Sequence, residues 1–134
     1  MASIFSKIIR GEIPCHKIDE NESFICFLDI SPLAKGHALI VPKREVDKYF
    51  DLNSEEIYEI NIFAKKIAHA IENVIPCKRV GVAIIGLEVP HAHIHLIPLN
   101  SDEDINFSRQ RLKLSNEEFI EIAEAIKKQI KNLK

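Results

Sequence analysis

Three of the six histidines in this 134-residue chain fall at alternate positions in His91-Ala92-His93-Ile94-His95, ahead of Leu96-Ile97-Pro98. A period of two is the side-chain period of a β-strand. The spacing predicts a strand over His91–Leu99, with the imidazoles on one face and Ala92, Ile94 and Leu96 on the other. Pro90 and Pro98 bracket it as strand-end residues. Three readings fit such a row. One is a solvated strand without chemistry, although Val, Thr and Lys fill that role more commonly. Another is a metal site. Neighbouring imidazoles on a strand start ~7 Å apart and the outer two ~14 Å apart. Zinc–nitrogen bonds of ~2.0–2.1 Å therefore allow two of the three, with a ligand such as His37 from elsewhere, but suit all three poorly. The third is covalent catalysis, in which the central imidazole attacks while its neighbours orient it and move protons. The rest of the sequence favours the third.

The elements that must position this row are legible around it. Ser3 can cap a short helix with apolar Ile4, Phe5, Ile8 and Ile9, ended by Gly11. Ile13-Pro14 breaks to a strand around Cys15–Asp19, and Asn21-Glu22 reads as a hairpin turn. Phe24–Ile30 is a buried-type strand interrupted by Asp29, a carboxylate that serves either as a turn residue or as an acceptor for sugar hydroxyls. Lys35-Gly36 turns into a strand over His37–Lys43, with His37, Leu39 and Val41 on one face. A lone histidine at a strand start is more often structural; the second histidine cluster strengthens the case for His37.

Asn53 and Glu56 form a capping-box pattern. The steps Ile57, Ile60, Ala64, Ile67, Ile71, Val74 predict a long amphipathic helix that stops before Pro76. Another strand reads over Lys78–Gly86. After Leu99 the chain turns polar. Arg109, Arg111 and Lys113 form a small basic group that could meet phosphates, with a solvated loop the simpler reading. Ser115 and Glu118 give a second capping box, followed by a terminal helix with an apolar face of Phe119, Ile122, Ile126, Ile130 and Leu133. Its closing lysines, Lys134 the last, suit the helix dipole.

Length and 46% hydrophobic content suit one compact domain with a core. A net charge of −2 offers no polyanion-binding signature, and no apolar run approaches the ~20 residues of a membrane span. Neither nucleic acid nor membrane is expected as a partner. The N-terminus lacks the features of a secretory signal. Cys15, Cys26 and Cys77 are widely spaced, as expected of reduced thiols in the cytoplasm.

Together these residues resemble the histidine triad (HIT) family, Hint-like branch, whose hallmark is His-x-His-x-His followed by two apolar residues, here His91 to Ile97. The resemblance runs from about Ser3 to Leu99. It includes Ile4-Phe5-Ser6-Lys7-Ile8-Ile9-Arg10-Gly11-Glu12-Ile13-Pro14, Phe27-Leu28-Asp29-Ile30-Ser31-Pro32 and Gly36-His37-Ala38-Leu39-Ile40-Val41-Pro42-Lys43. It implies an α+β fold, a five-stranded antiparallel sheet with a long packed helix and a C-terminal helix. The whole chain would be one HIT domain, with its core over about residues 3–100 and an extension over 101–134. It further implies a homodimer through the long helix and a sheet edge, and a pocket for a purine nucleoside monophosphate derivative of AMP or GMP type.

On the matching positions His93 would be the nucleophile, His95 and His91 its neighbours, and His37 the fourth histidine. Asp29 would hold the ribose hydroxyls. Phe5, Phe27, Leu28 and Ile30 would line the base, with Glu88 and Val89 completing the nucleotide set. The implied reaction is cleavage at the α-phosphate through a nucleotidyl-histidine, phosphoramidase-like and without a cofactor. Dinucleoside polyphosphate hydrolysis and non-catalytic nucleotide binding are the alternatives. Protonated His95, backbone N–H groups and His91 are expected to meet the transition-state charge.

The sequence departs from the family pattern at four places. Ala83 falls near the position of an Asn, and Leu87-Glu88, in a shortened loop, replace Gln-Ser. Glu88 is expected to repel an anionic leaving group and favour an amine, or equally to donate a proton if its pKa is raised. Ser3 and Ser6 stand where zinc-bearing members carry Cys-x-x-Cys, and Glu45 where a further ligand His would stand, so no metal is expected.

Overall fold

In a computed structural model the described residues run from Ala2 to Leu133; Met1 and Lys134, the latter among the lysines expected at the helix end, lie outside them. Helix α1 (Ile4–Ile9) starts where Ser3 Oγ accepts the Ser6 N–H at 3.0 Å, and closes through Arg10 and Gly11. Strands β1 (Lys17–Glu20) and β2 (Phe24–Leu28) form a hairpin, with Asn21 Oδ1 accepting the N–H groups of Ser23 and Phe24. Strand β3 (Ala38–Pro42), helix α2 (Ser54–Val74), strands β4 (Arg79–Ala83) and β5 (Ile94–Leu99), and helix α3 (Asn116–Asn132) follow. Both long helices open with the expected capping boxes, Asn53 with Glu56 and Ser115 with Glu118.

The sheet has the order β1-β2-β3-β5-β4 and is antiparallel throughout. The expected α+β architecture is therefore present: five antiparallel strands, a long helix and a C-terminal helix. Phe24, Cys26, Leu28, Ala38, Ile40, Ile94 and Leu96 pack with α2 and α3 in one cluster. Ile25, Phe27, Leu39 and Val41 pack on the other face with Phe5 and Ile8 of α1. Because both faces are covered, β2 and β3 are buried at every position and read as continuous apolar runs. Residues directly opposite in a ladder share a face. His95 stands opposite Leu39 and Ala83, which places it on the α1 face, away from the helical core.

Strands β2 to β5 are all shorter than the sequence predicts, β5 and β4 by the most. β5 begins at Ile94, not at His91. The Ala92 N–H bonds to the Val46 carbonyl and the His91 N–H to that of Val89, so this backbone leaves the ladder before the histidine row begins. β4 ends at Ala83, its last partner being His95, and the chain then peels away through half-exposed Ile84 and Ile85. Gly36 takes φ 90° at the turn into β3, where a Cβ would stand 2.7 Å from Ile75 Cγ1. Only glycine gives both that backbone and that clearance.

Residues beyond β5 fold back on the rest. A 3₁₀ turn spans Asp102–Ile105, and α3 packs against α2 and β1 through Phe119, Ala123, Ile126 and Ile130. Leu133, expected on that face, is half exposed because the helix has already ended. Among the described residues, no helix is long and apolar enough to cross a membrane.

Ile67 is fully buried at the centre of the α2–sheet core. Ile67→Ala is expected to lower unfolding free energy by about 2–5 kcal/mol. Urea titration should show a lower midpoint with an unchanged slope.

Candidate active site

A cavity of ≈ 380 Å³ opens on the α1 face of the sheet. Of the residues singled out by sequence, Phe5, Phe27, Leu28, Asp29, Ile30, Glu88, Val89, His93 and His95 line it. His37 and His91 do not; both are fully buried behind the wall. The Phe5 ring meets His93 edge-on at 5.0 Å between centroids and His91 at 6.0 Å, while the His93 and His95 rings are 5.0 Å apart. The row is thus continuous although only its last member belongs to β5.

Backbone groups dictate where each imidazole carries its hydrogen. A carbonyl only accepts, so His93 Nδ1, 2.7 Å from the His91 carbonyl, carries the hydrogen and leaves the lone pair on Nε2. The Leu33 N–H donates to His37 Nδ1 at 3.0 Å, so His37 holds its hydrogen on Nε2 and donates it to His95 Nδ1 at 2.9 Å. His95 is then left with Nε2–H. His91 Nε2–H donates to the Pro42 carbonyl at 2.7 Å, and its Nδ1 accepts the Ser3 hydroxyl, also at 2.7 Å.

Burial disfavours the charged form of His37, His95 and His93. It pushes His37 and His95 down to about 3, aided by the neighbouring imidazole in each case, and lowers His93 as well. Burial thus leaves His95 a neutral N–H donor in this arrangement, whereas the expectation of a protonated His95 concerned the transition state. Asp29 follows the end of β2, its Oδ1 accepting the Ser31 N–H at 2.8 Å and its Oδ2 lying 3.5 Å from His37 Nε2. Burial raises its pKa.

Asp29, His37 and His95 bring one potential ligand atom each within 4.8 Å of one another. They do not suit a metal. Coordination through His37 Nε2 needs a lone pair there, which moves the hydrogen to Nδ1 and sets it against the Leu33 N–H, donor facing donor. His37 is thereby fixed in a tautomer that presents a hydrogen, not a lone pair, to this cluster, which disfavours the zinc-hydrolase reading built on it. Ser3, Ser6 and Glu45 do converge on His91, but as a hydrogen-bonded cluster. The Ser3 N–H and the Ser6 hydroxyl both donate to Glu45 Oε1, and these bonds, the Ser3 N–H first, pull the exposed carboxyl down to about 2.

Sequence reasoning missed Phe107 and under-read Arg111. Both line the cavity, Phe107 edge-on to His95 at 4.8 Å, and neither carries a periodic or motif signal. Arg109, from the same basic group, instead pairs with Asp104 at 3.0 Å. Glu88, read as a repulsive charge, has a cationic neighbour: its Oε1 lies 3.6 Å from Arg111 Nη2. Ala83 stands opposite His95, so no amide occupies that place in the ladder.

A family model described as the HIT domain matches residues 10–102. The chain is 37% identical over 134 residues to adenosine 5'-monophosphoramidase hnt1 of Schizosaccharomyces pombe, covering 98% of this chain and all of that one. It is 40% identical over 106 residues to adenosine 5'-monophosphoramidase HNT1 of Saccharomyces cerevisiae, covering 76% of this chain and 65% of that one. Among solved structures, a HIT-like protein of Bartonella henselae superimposes with a TM-score of 0.81 at 28% identity, covering 95% of each chain.

Once unfolded, His37 and His95 regain the ordinary histidine value of 6.5. Their contribution to stability is intact above that pH and is lost as pH falls from there towards 3, where the native rings begin to protonate. NMR of the folded protein should show both rings neutral, their resonances unmoved from about pH 8 to about pH 5. A midpoint near the ordinary histidine value in either ring would contradict this assignment.

Proposed function

Since the chain belongs to the histidine triad family, we propose that it cleaves a bond at the α-phosphate of a purine nucleoside monophosphate derivative, phosphoramidates foremost, through a nucleotide carried on His93. The observation that carries this reading is the His93 ring: it lines the cavity with Nδ1–H tied to a carbonyl and a free lone pair on Nε2. The fission- and budding-yeast relatives bear the name adenosine 5'-monophosphoramidase, which supports the phosphoramidate class.

Phe5, Phe27, Leu28, Ile30 and Val89 offer an apolar site for the base, and Asp29 an acceptor for ribose hydroxyls. His93 Nε2 attacks phosphorus, the phosphorus–nitrogen bond breaks, and the amine departs carrying a proton taken from solvent water at the open side of the cavity. The hydrogen bond from Nδ1 to the His91 carbonyl stabilises the positive charge the ring acquires. His95 Nε2–H donates to a phosphoryl oxygen, and His37 fixes that tautomer from behind. Water then cleaves the phosphorus–His93 bond and releases the nucleoside monophosphate. His91 acts at one remove, through the carbonyl that orients His93.

A second reading within the family has an observation of its own. Arg111 beside Glu88 offsets the repulsion an anionic leaving group would meet, which favours dinucleoside polyphosphates as alternative substrates. Supplying both substrate types separates the two. We also assign the chain as a homodimer. β4 is an edge strand paired only with β5 among the described residues, and Val82, opposite Leu96 on the α2 face, is half exposed together with Tyr58 and Ile62 of α2. The reduced cysteines fit a cytoplasmic setting.

Incubation with an adenosine phosphoramidate should release AMP, and His93→Ala should reduce the rate by at least about 10³-fold, in keeping with loss of a nucleophile. Intact mass after brief mixing with a His95→Asn variant should reveal the nucleotide adduct. AMP binding with no turnover in the unmodified protein would instead establish a non-catalytic binder. Light scattering should give twice the chain mass, and Val82→Lys should shift the protein towards monomer.

A further inference from the structure

The cavity wall is completed by a part of the chain that the family match does not reach. That match ends at residue 102, and Phe107 and Arg111 lie beyond it. The segment carrying them is fastened to the loop after Asp29. The Leu112 N–H donates to the Pro32 carbonyl at 2.8 Å, and Arg111 Nη1 donates to the Ser31 carbonyl at the same distance. Phe107 fills the space against His95 and supports the guanidinium, whose carbon lies 5.4 Å from the ring centroid. Arg111 is the only lysine or arginine lining the cavity among the described residues.

Its remaining partner is a weak one. Glu88 Oε1 is 3.6 Å from Nη2, beyond hydrogen-bond range, and the Glu88 side chain is 82% exposed against 23% for Arg111. The cation is therefore held firmly on one side and loosely on the other. From the geometry we propose that Arg111 is the anion-binding residue of this site, and that the phosphate of a bound nucleotide displaces Glu88 from it.

The chemistry of the site calls for such a group. A phosphoryl centre under attack carries negative charge on its non-bridging oxygens, and the histidines nearest the nucleophile are neutral. An arginine keeps its charge at any working pH and presents paired donors that match two phosphate oxygens. Glu88 keeps the guanidinium paired until the substrate arrives and leaves readily because it is mostly in water. The inference rests on the reading of the cavity as a nucleotide site, and it assigns to the C-terminal segment a direct part in recognising the phosphate.

Calorimetry on the full chain with AMP and with adenosine tests it, folding of each variant being checked by circular dichroism. The unmodified protein should bind AMP more tightly than adenosine. Arg111→Ala should weaken AMP binding about 10- to 100-fold, the worth of a charge-assisted hydrogen-bond pair, and leave adenosine unchanged. Arg111→Lys should fall between, and Glu88→Gln should tighten AMP alone. If Arg111→Ala does not fold, Arg111→Lys and Glu88→Gln decide by the same comparison. Equal weakening of both ligands in the arginine variants would give Arg111 a packing role only and overturn the proposal, as would unchanged AMP affinity. Failure of the unmodified protein to bind AMP at all would overturn the nucleotide reading itself, and this one with it.

Discussion

The site depends on hydrogen bonds between main-chain groups and imidazoles. A neutral histidine has two tautomers, and left to itself each ring here would sample both. The Leu33 N–H, the His91 carbonyl and the Pro42 carbonyl remove that freedom at His37, His93 and His91, and His37 passes the constraint to His95. The lone pair on His93 Nε2 and the hydrogen on His95 Nε2 are consequences of where backbone lies. Burial makes the arrangement durable, since it disfavours the charged ring that would donate from both nitrogens.

That constraint in turn depends on strand order. β5 inserts between β3 and β4, so that the turn feeding β3 delivers His37 beside His95 across 58 residues of sequence. The same order brings the end of β3 to His91, whose ring takes the Pro42 carbonyl. The sheet also separates two environments. One face is closed by α2 and α3 and gives the domain its core, while the other is only partly closed by α1, and the cavity lies in what remains.

The peripheral segments then finish what the sheet leaves open. Ser3 caps α1 with the same hydroxyl that meets His91, coupling the helix that carries Phe5 to the histidine row. Glu45 secures that end by accepting from Ser3 and Ser6, so three positions that suggested a lost metal site by sequence form a hydrogen-bonded cluster of their own. At the other end of the chain, residues after β5 return to close the mouth with an aromatic ring and a guanidinium. Glu88, which in isolation reads as an unfavourable charge, becomes one half of a pair.

By itself the sequence determined what depends on neighbours a few residues apart. The caps at Ser3, Asn53 and Ser115, the two long amphipathic helices, the turn at Gly36 and the apolar strands follow from local hydrogen bonding and periodicity, and the structure has them. The histidine spacing also singled out His93 and His95, which line the cavity, and the resemblance to a family supplied the sheet. The tertiary structure alone decided the tautomers, the start of β5 at Ile94 and the entry of Phe107 and Arg111 into the cavity. Each of these rests on partners far apart in the chain, as with Ser3 and His91, 88 residues distant, or Arg111 and Ser31, 80 residues distant. A period or a motif records which side chains lie on one face of an element. It carries no record of which distant carbonyl or N–H the folded chain will set against them, because that is fixed by the order of strands and the path of the loops.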